Sequence, residues 1–103
     1  MYKDRSTARI LVIEDDVDIS DFIRQVLIAH QYQAITALSG REGLNVARAQ
    51  RPDLVVLDVM MPGMNGLDVC RQIRADPALA DTPVLFLTSK GDVHTTERRV
   101  VSR

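Results

Sequence analysis

Acidic and hydroxyl side chains directly follow three short apolar runs in this chain of 103 residues. Runs of four Val, Ile, Leu or Phe residues without polar alternation are typical of strands buried on both faces of a parallel sheet. Because parallel strands end at one edge of the sheet, we expect these side chains to converge there. Carboxylates and a hydroxyl at one place suit a hard divalent cation and a phosphoryl group. The side chains concerned are Glu14, Asp15, Asp58 and Thr88.

The first part of the chain alternates strand and helix patterns. After the run at 10–13, apolar residues recur at helical spacing from Ile19 to Leu27, and this pattern ends near His30. A weaker strand signal follows at 32–38, and we interpret it as a short edge strand.

The middle of the chain carries two more helix patterns. Ser39 and Glu42 have the spacing of a capping box, which predicts the start of a second helix. Proline lacks an amide proton, so this helix should end before Pro52. The next apolar run leads into a loop of Met, Pro and Gly residues. A third helix pattern then starts at Gly66 and closes before Asp76.

The last apolar run, at 84–87, precedes a fourth helix pattern over 93–101, for which Asp92 is a candidate cap. The resulting order is β-α-β-α-β-α-β-α. Strands that alternate with helices favour a parallel sheet with right-handed crossovers and helices on both faces. The predicted fold class is therefore α/β, and the length fits one domain spanning 1–103.

Composition argues against several classes of function. The formal net charge is −1 and the Lys and Arg residues are scattered, so we expect no direct binding to nucleic acid. No apolar stretch approaches the roughly 20 residues that cross a bilayer, and the first residues lack the hydrophobic segment of a signal peptide. Cys70 is the single cysteine, which excludes an internal disulfide. We therefore expect a cytoplasmic protein without membrane contact.

Three segments together resemble the receiver domain of bacterial two-component response regulators. They follow the family's order and separations, and the Asp-x-Met-Met-Pro-Gly-Met-x-Gly loop is their most specific part. The segments are ILVIEDD at 10–16, PDLVVLDVMMPGMNG at 52–66 and VLFLTS at 84–89. The resemblance extends from about Ala8 to about Lys90. It implies a flavodoxin-like, doubly wound parallel sheet with strand order 2-1-3-4.

The resemblance also implies roles for the candidate residues. Asp58 is the expected nucleophile, which takes a phosphoryl group from the phosphohistidine of a histidine kinase or phosphotransfer protein. The expected Mg²⁺ ligands are Glu14, Asp15, Asp58 and the backbone carbonyl of Met60. Thr88 is the expected hydroxyl that contacts the phosphoryl group and signals to an output domain or protein; its simpler alternative is an ordinary loop hydroxyl. Such a module is a phosphoacceptor and not an enzyme with separate substrate turnover.

The sequence departs from the family's pattern near its C-terminal end. Receivers carry a lysine followed by proline at the end of a fifth strand, and then a fifth helix. This sequence has neither before it ends at Arg103, and Lys90 is the nearest candidate to replace the lysine. We therefore expect the strand at 84–87 to present an open apolar edge and the helix residues Phe22 and Val26 to be exposed. Both features favour a homo-oligomer that covers this edge, and the alternative is a chain that is only marginally folded by itself.

Three other interpretations remain open at this point. The chain could be a receiver that has lost signalling and assembles through its open sheet edge. It could be a metal-dependent phosphatase, although that chemistry needs a second acid near the nucleophile and Val59 and Met60 follow Asp58. The acids after the first run could also be solvated cap residues at a strand-to-helix turn, a role that we expect for Asp16 or Asp18.

Overall fold

The computed structural model describes residues 7–87 and the backbone of residues 100–101. Within this part of the chain, strands and helices alternate in the predicted order, and no helix is long and apolar enough to span a bilayer. The elements are β1 (Arg9–Ile13), α1 (Val17–Ala29), β2 (Gln33–Ala37), α2 (Gly40–Gln50), β3 (Leu54–Asp58), α3 (Gly66–Ala75), β4 (Val84–Leu87) and β5 (Val100–Val101).

The strands form one sheet in the order β2-β1-β3-β4-β5, and the first four strands of this order are parallel. This arrangement confirms the predicted α/β fold with strand order 2-1-3-4. Ile13 pairs with Leu57 near the ends of β1 and β3, and Asp58 pairs with Leu87 of β4. The register therefore places the residues that follow β1 beside the last residue of β3.

The described end of the chain differs from the prediction. Val100 and Val101 form β5, which pairs antiparallel with Leu85 and Val84 of β4. The predicted fourth helix is therefore wrong at these two residues, and its part at 93–99 lies outside the described residues. Valine favours strands, and the free backbone groups of an edge strand can pair with another strand. A short antiparallel strand thus covers part of the edge of β4.

Both faces of the sheet are apolar, and the helices cover them unequally. On one face, Leu11 and Leu57 pack in a large buried cluster with residues of α2 and α3. On the other face, Val12 and Val56 form a smaller cluster against α1. All four side chains are at most 5% exposed, which confirms for β1 and β3 that the apolar runs are strands buried on both faces. In β4, Val84 and Phe86 are buried, whereas Leu85 and Leu87 on the other face are only partly buried.

Each helix begins at a side chain that caps its free amides. Asp16 accepts hydrogen bonds from two amides in the first turn of α1, as expected for one of the acids there. The Ser39 hydroxyl accepts from the Glu42 amide at 3.1 Å, as the predicted capping box requires, and the Glu42 carboxylate accepts from the Leu38 amide at 2.9 Å, one residue before the cap. Asn65 caps α3. The loop after β1 therefore ends at Asp16, and the loop after β3 ends at Asn65.

Candidate metal centre

Three carboxylates meet at the carboxyl edge of the sheet. Glu14 and Asp15 directly follow β1, and Asp58 is the last residue of the neighbouring β3. Each side chain offers an oxygen atom, and these oxygens all lie within 4.8 Å of one another. The sheet register produces this arrangement, because strands 1 and 3 are adjacent and end at the same level. The structure therefore brings together three of the residues that the sequence singles out.

Glu14 is held in place by its own backbone and by the next turn. Its amide donates to the Ala37 carbonyl at 3.1 Å, which extends the pairing of β1 with β2 by one residue. Its carboxylate is fully buried and accepts a hydrogen bond from the Asp16 amide at 2.8 Å. This hydrogen bond restrains the carboxylate at the start of the loop that leads into α1. Sequence reasoning did not identify it, although two acids at a strand-to-helix turn are a signal for such a contact.

Asp58 is also fully buried, and its orientation is fixed from two sides. Its Oδ1 atom accepts a hydrogen bond from the Met60 amide at 3.1 Å, the local turn that short acidic side chains commonly form. The Val59 amide donates to the Leu87 carbonyl at 3.2 Å, which continues the pairing of β3 with β4. The Met60 amide therefore holds the Asp58 carboxylate directly, and the pairing with β4 holds the backbone that follows it.

The remaining candidates differ in what the structure describes. Asp15 is partly exposed, whereas the other two acids of the group are buried. Met60 is 59% exposed, and the assignment of its carbonyl as a metal ligand stays a prediction. Thr88 follows the last residue of β4, and both it and Lys90 lie outside the described residues. Their assigned roles also stay predictions.

The donor set fits a hard divalent cation. Two unit negative charges about 5 Å apart repel by about 3 kcal/mol at the effective dielectric constant that applies near a protein surface. Three carboxylate oxygens within 4.8 Å of one another therefore favour binding of a cation. Mg²⁺ prefers oxygen ligands, is commonly held by a small number of carboxylates, and keeps several water molecules. Glu14, Asp15 and Asp58 offer that set without a softer nitrogen or sulfur ligand among them.

Comparison with known proteins agrees with this geometry. The model of the response regulator receiver domain family matches residues 10–102. The chain is 42% identical over 89 residues to the DNA-binding response regulator MtrA of Mycobacterium tuberculosis, a match that covers 86% of this chain and 38% of MtrA. It is 45% identical over 83 residues to the transcriptional regulatory protein AfsQ1 of Streptomyces coelicolor, covering 81% of this chain and 36% of AfsQ1. The chain thus spans less than two fifths of the length of these relatives.

Solved structures give the same result. The N-terminal domain of a response regulator receiver protein from Methanoculleus marisnigri aligns with a TM-score of 0.77 and 45% identity, covering 80% of this chain and 67% of that one. The chemotaxis protein CheY4 of Vibrio cholerae aligns with a TM-score of 0.79 and 31% identity, covering 84% and 72%. The sheet order, the acidic site and these matches agree, and the chain belongs to the response regulator receiver domain family.

Proposed function

We propose that this receiver domain accepts a phosphoryl group on Asp58 in a Mg²⁺-dependent reaction, with the phosphohistidine of a histidine kinase or phosphotransfer protein as donor. One observation carries the proposal: oxygens of Glu14, Asp15 and Asp58 lie within 4.8 Å of one another at the carboxyl edge of a parallel sheet. Open parallel sheets bind their ligands at that edge.

The proposed nucleophile is Asp58. A carboxylate oxygen attacks the phosphorus atom, the bond from phosphorus to the donor histidine nitrogen breaks, and its electron pair stays on that nitrogen. The product is an acyl phosphate on Asp58. The Met60 amide restrains the carboxylate through Oδ1, so the nucleophile is oriented before the donor arrives.

The acidic group would hold the metal that this transfer requires. Bound Mg²⁺ supplies positive charge next to the transferring phosphoryl group, where negative charge must be neutralised. The proposed ligands are Glu14, Asp15, Asp58 and the backbone carbonyl of Met60. Burial and the hydrogen bond from the Asp16 amide keep the Glu14 carboxylate at the site, whereas Asp15 is accessible to solvent.

Phosphorylation of Asp58 would change the carboxyl edge of the sheet and thereby produce a signal. Leu87, which precedes Thr88, pairs with Asp58, and this register supports the proposal that the Thr88 hydroxyl contacts the phosphoryl group. The receiver would then change its binding to an output domain or protein. MtrA is named a DNA-binding regulator and AfsQ1 a transcriptional one, so we propose control of transcription as the class of output. The chain acts as a stoichiometric acceptor in this scheme.

Intact-mass spectrometry tests the proposal. Wild-type protein treated with acetyl phosphate and Mg²⁺ should gain one phosphoryl adduct, because the acidic group is assembled. The adduct should be absent from Asp58→Asn and from wild-type protein in EDTA. Asp81→Asn, which removes an exposed carboxylate before β4, should behave as wild type. A folded wild-type protein without an adduct, or an adduct that persists in Asp58→Asn, would contradict the proposal.

The alternative role, assembly through an open sheet edge, has less support. It was predicted from an uncovered edge along the whole of β4. Val100 and Val101 instead pair with the first half of that strand. The phosphoacceptor role therefore accounts for more of the observed geometry.

A further inference from the structure

The start of α3 lies directly against the backbone of Asp58. Gly66, the first residue of α3, is buried. A Cβ atom built on Gly66 would lie 2.5 Å from the carbonyl oxygen of Asp58 and 2.8 Å from the Cα atom of Val59. Both distances are well below van der Waals contact. Only a residue without a side chain lets the two backbones approach so closely.

A hydrogen bond fixes the same contact. The Gly66 amide donates to the Val59 carbonyl at 3.1 Å, while the Val59 amide donates to the Leu87 carbonyl at 3.2 Å. The residues just after the acceptor carboxylate are therefore held between β4 on one side and the first turn of α3 on the other. They also lead to Met60, whose amide contacts the Asp58 carboxylate.

We infer that Gly66 is a positioning residue for Asp58: its missing side chain lets α3 seat against the backbone of Asp58 and Val59, and this seating orients the Asp58 carboxylate toward Glu14 and Asp15. The consequence for Mg²⁺ and phosphoryl transfer rests on the proposed function. The contact between Gly66 and the backbone of Asp58 and Val59 is independent of the proposed function, because it involves no metal ion or phosphoryl donor.

Another helical glycine provides a contrast. A Cβ atom on Gly43 of α2 would lie 2.3 Å from Cδ1 and 2.7 Å from Cγ1 of the buried Ile13 side chain, which must change its rotamer to make room. A Cβ atom on Gly66 would meet backbone atoms, which cannot rotate away. Alanine at position 66 must therefore displace the backbone of Asp58 and Val59. Gly43→Ala is a control for the same substitution at a crowded helix position, because its clash is with a side chain and not with the backbone of Asp58 and Val59.

The first measurement uses metal-free protein. In Gly66→Ala, displacement of the Asp58 backbone should break the hydrogen bond from the Met60 amide to Oδ1 and increase hydrogen exchange of that amide about tenfold. Exchange at the same amide should not change in Gly43→Ala. NMR of isotope-labelled protein resolves the amide directly. Unchanged exchange in a folded Gly66→Ala, or an equal increase in Gly43→Ala, would overturn the inference.

The second measurement is Mg²⁺ affinity by calorimetry. Gly66→Ala should bind Mg²⁺ about tenfold more weakly than wild type, a typical loss when the residues that orient a ligand are disturbed. Asn45→Ala, an exposed substitution within α2, should bind like wild type, and a Gly66→Ala variant with wild-type affinity would count against the inference. If wild-type protein binds no Mg²⁺, the proposed function fails, and the exchange of the Met60 amide still decides the role of Gly66.

A milder variant covers the case in which Gly66→Ala does not fold. Asn65 caps α3, and its side chain accepts a hydrogen bond from the Asp68 amide at 3.0 Å. Asn65→Ala should loosen the first turn of α3 and increase exchange at the Met60 amide. Ser39→Ala removes the corresponding cap of α2 and should leave that amide unchanged. Equal exchange in the two variants would show that the start of α3 does not position Asp58.

Discussion

At the scale of single residues, two buried carboxylates dominate this receiver. Glu14 and Asp58 are each 0% exposed, and each accepts a hydrogen bond from an amide two residues further along the chain. Burial of charged groups costs stability unless nearby groups compensate them. The partly exposed Asp15 adds a third carboxylate to the group. The metal-free site should therefore be a source of instability that a cation relieves.

Asp58→Asn should stabilise the metal-free protein. The amide keeps the shape of the carboxylate and can still accept from the Met60 amide, but it removes one of three mutually repelling charges. We expect the free energy of unfolding in EDTA to rise by about 1–2 kcal/mol. Wild-type protein should gain about 2.7 kcal/mol when Mg²⁺ is present at about 100 times its dissociation constant, and the variant should gain much less.

Urea denaturation with and without Mg²⁺ measures both effects. Asp81→Asn serves as the control, because it removes an exposed carboxylate that precedes β4, at the opposite end of that strand from the acidic site. Its stability should remain close to that of wild type in both conditions. A metal-free Asp58→Asn that is less stable than wild type would show that charge repulsion does not govern this site.

At the scale of elements, the caps set where each helix begins. Asp16, Ser39 and Asn65 each accept hydrogen bonds from amides in the first turn of the following helix. Each loop that links a strand to a helix therefore ends at a defined residue. Two of these loops carry the candidate site, because the first contains Glu14 and Asp15 and the third follows Asp58.

Ser39→Ala should lower the free energy of unfolding by about 1 kcal/mol, since one helix amide loses its acceptor. Mg²⁺ affinity should not change, because the second strand-to-helix loop contributes no carboxylate to the acidic group. Asn45→Ala, an exposed substitution within α2, is the control and should not destabilise the protein. Chemical denaturation combined with calorimetry tests this, and a fully stable Ser39→Ala would refute the capping argument.

At the scale of the whole molecule, the two faces of the sheet differ. Helices α2 and α3 cover one face, whereas α1 is the helix that packs on the other among the described residues. On α1, Phe22 is 67% exposed and Val26 is 40% exposed, as the sequence predicts. Exposed apolar residues that lie near one another favour association. The predicted homo-oligomer therefore depends more on α1 than on the edge of β4, which β5 partly covers.

Sedimentation at micromolar concentration tests that prediction. Wild-type protein should form a dimer or larger species, and Phe22→Glu should shift the population to monomer because it places a charge in the apolar contact. Asn45→Glu adds the same charge on exposed α2 and should leave the association unchanged. A compact and stable wild-type monomer would contradict the prediction of an oligomer.

The sequence by itself determined the local features of this protein. Uninterrupted apolar runs identified β1, β3 and β4, the spacing of Ser39 and Glu42 identified the start of α2, and the residues after the runs identified the three acids. These features depend on neighbouring residues, so they can be recognised without knowledge of the fold.

Only the tertiary structure decided which distant segments meet. It showed that Glu14 is buried whereas Asp15 is partly exposed, that Val100 and Val101 pair with β4, and that Gly66 contacts the backbone of Asp58. The helix prediction over 93–101 was wrong at its last two residues, because the edge of β4 offers backbone partners that local helix signals do not reveal. Such contacts depend on strand register and on packing between residues far apart in sequence, which local preferences do not specify.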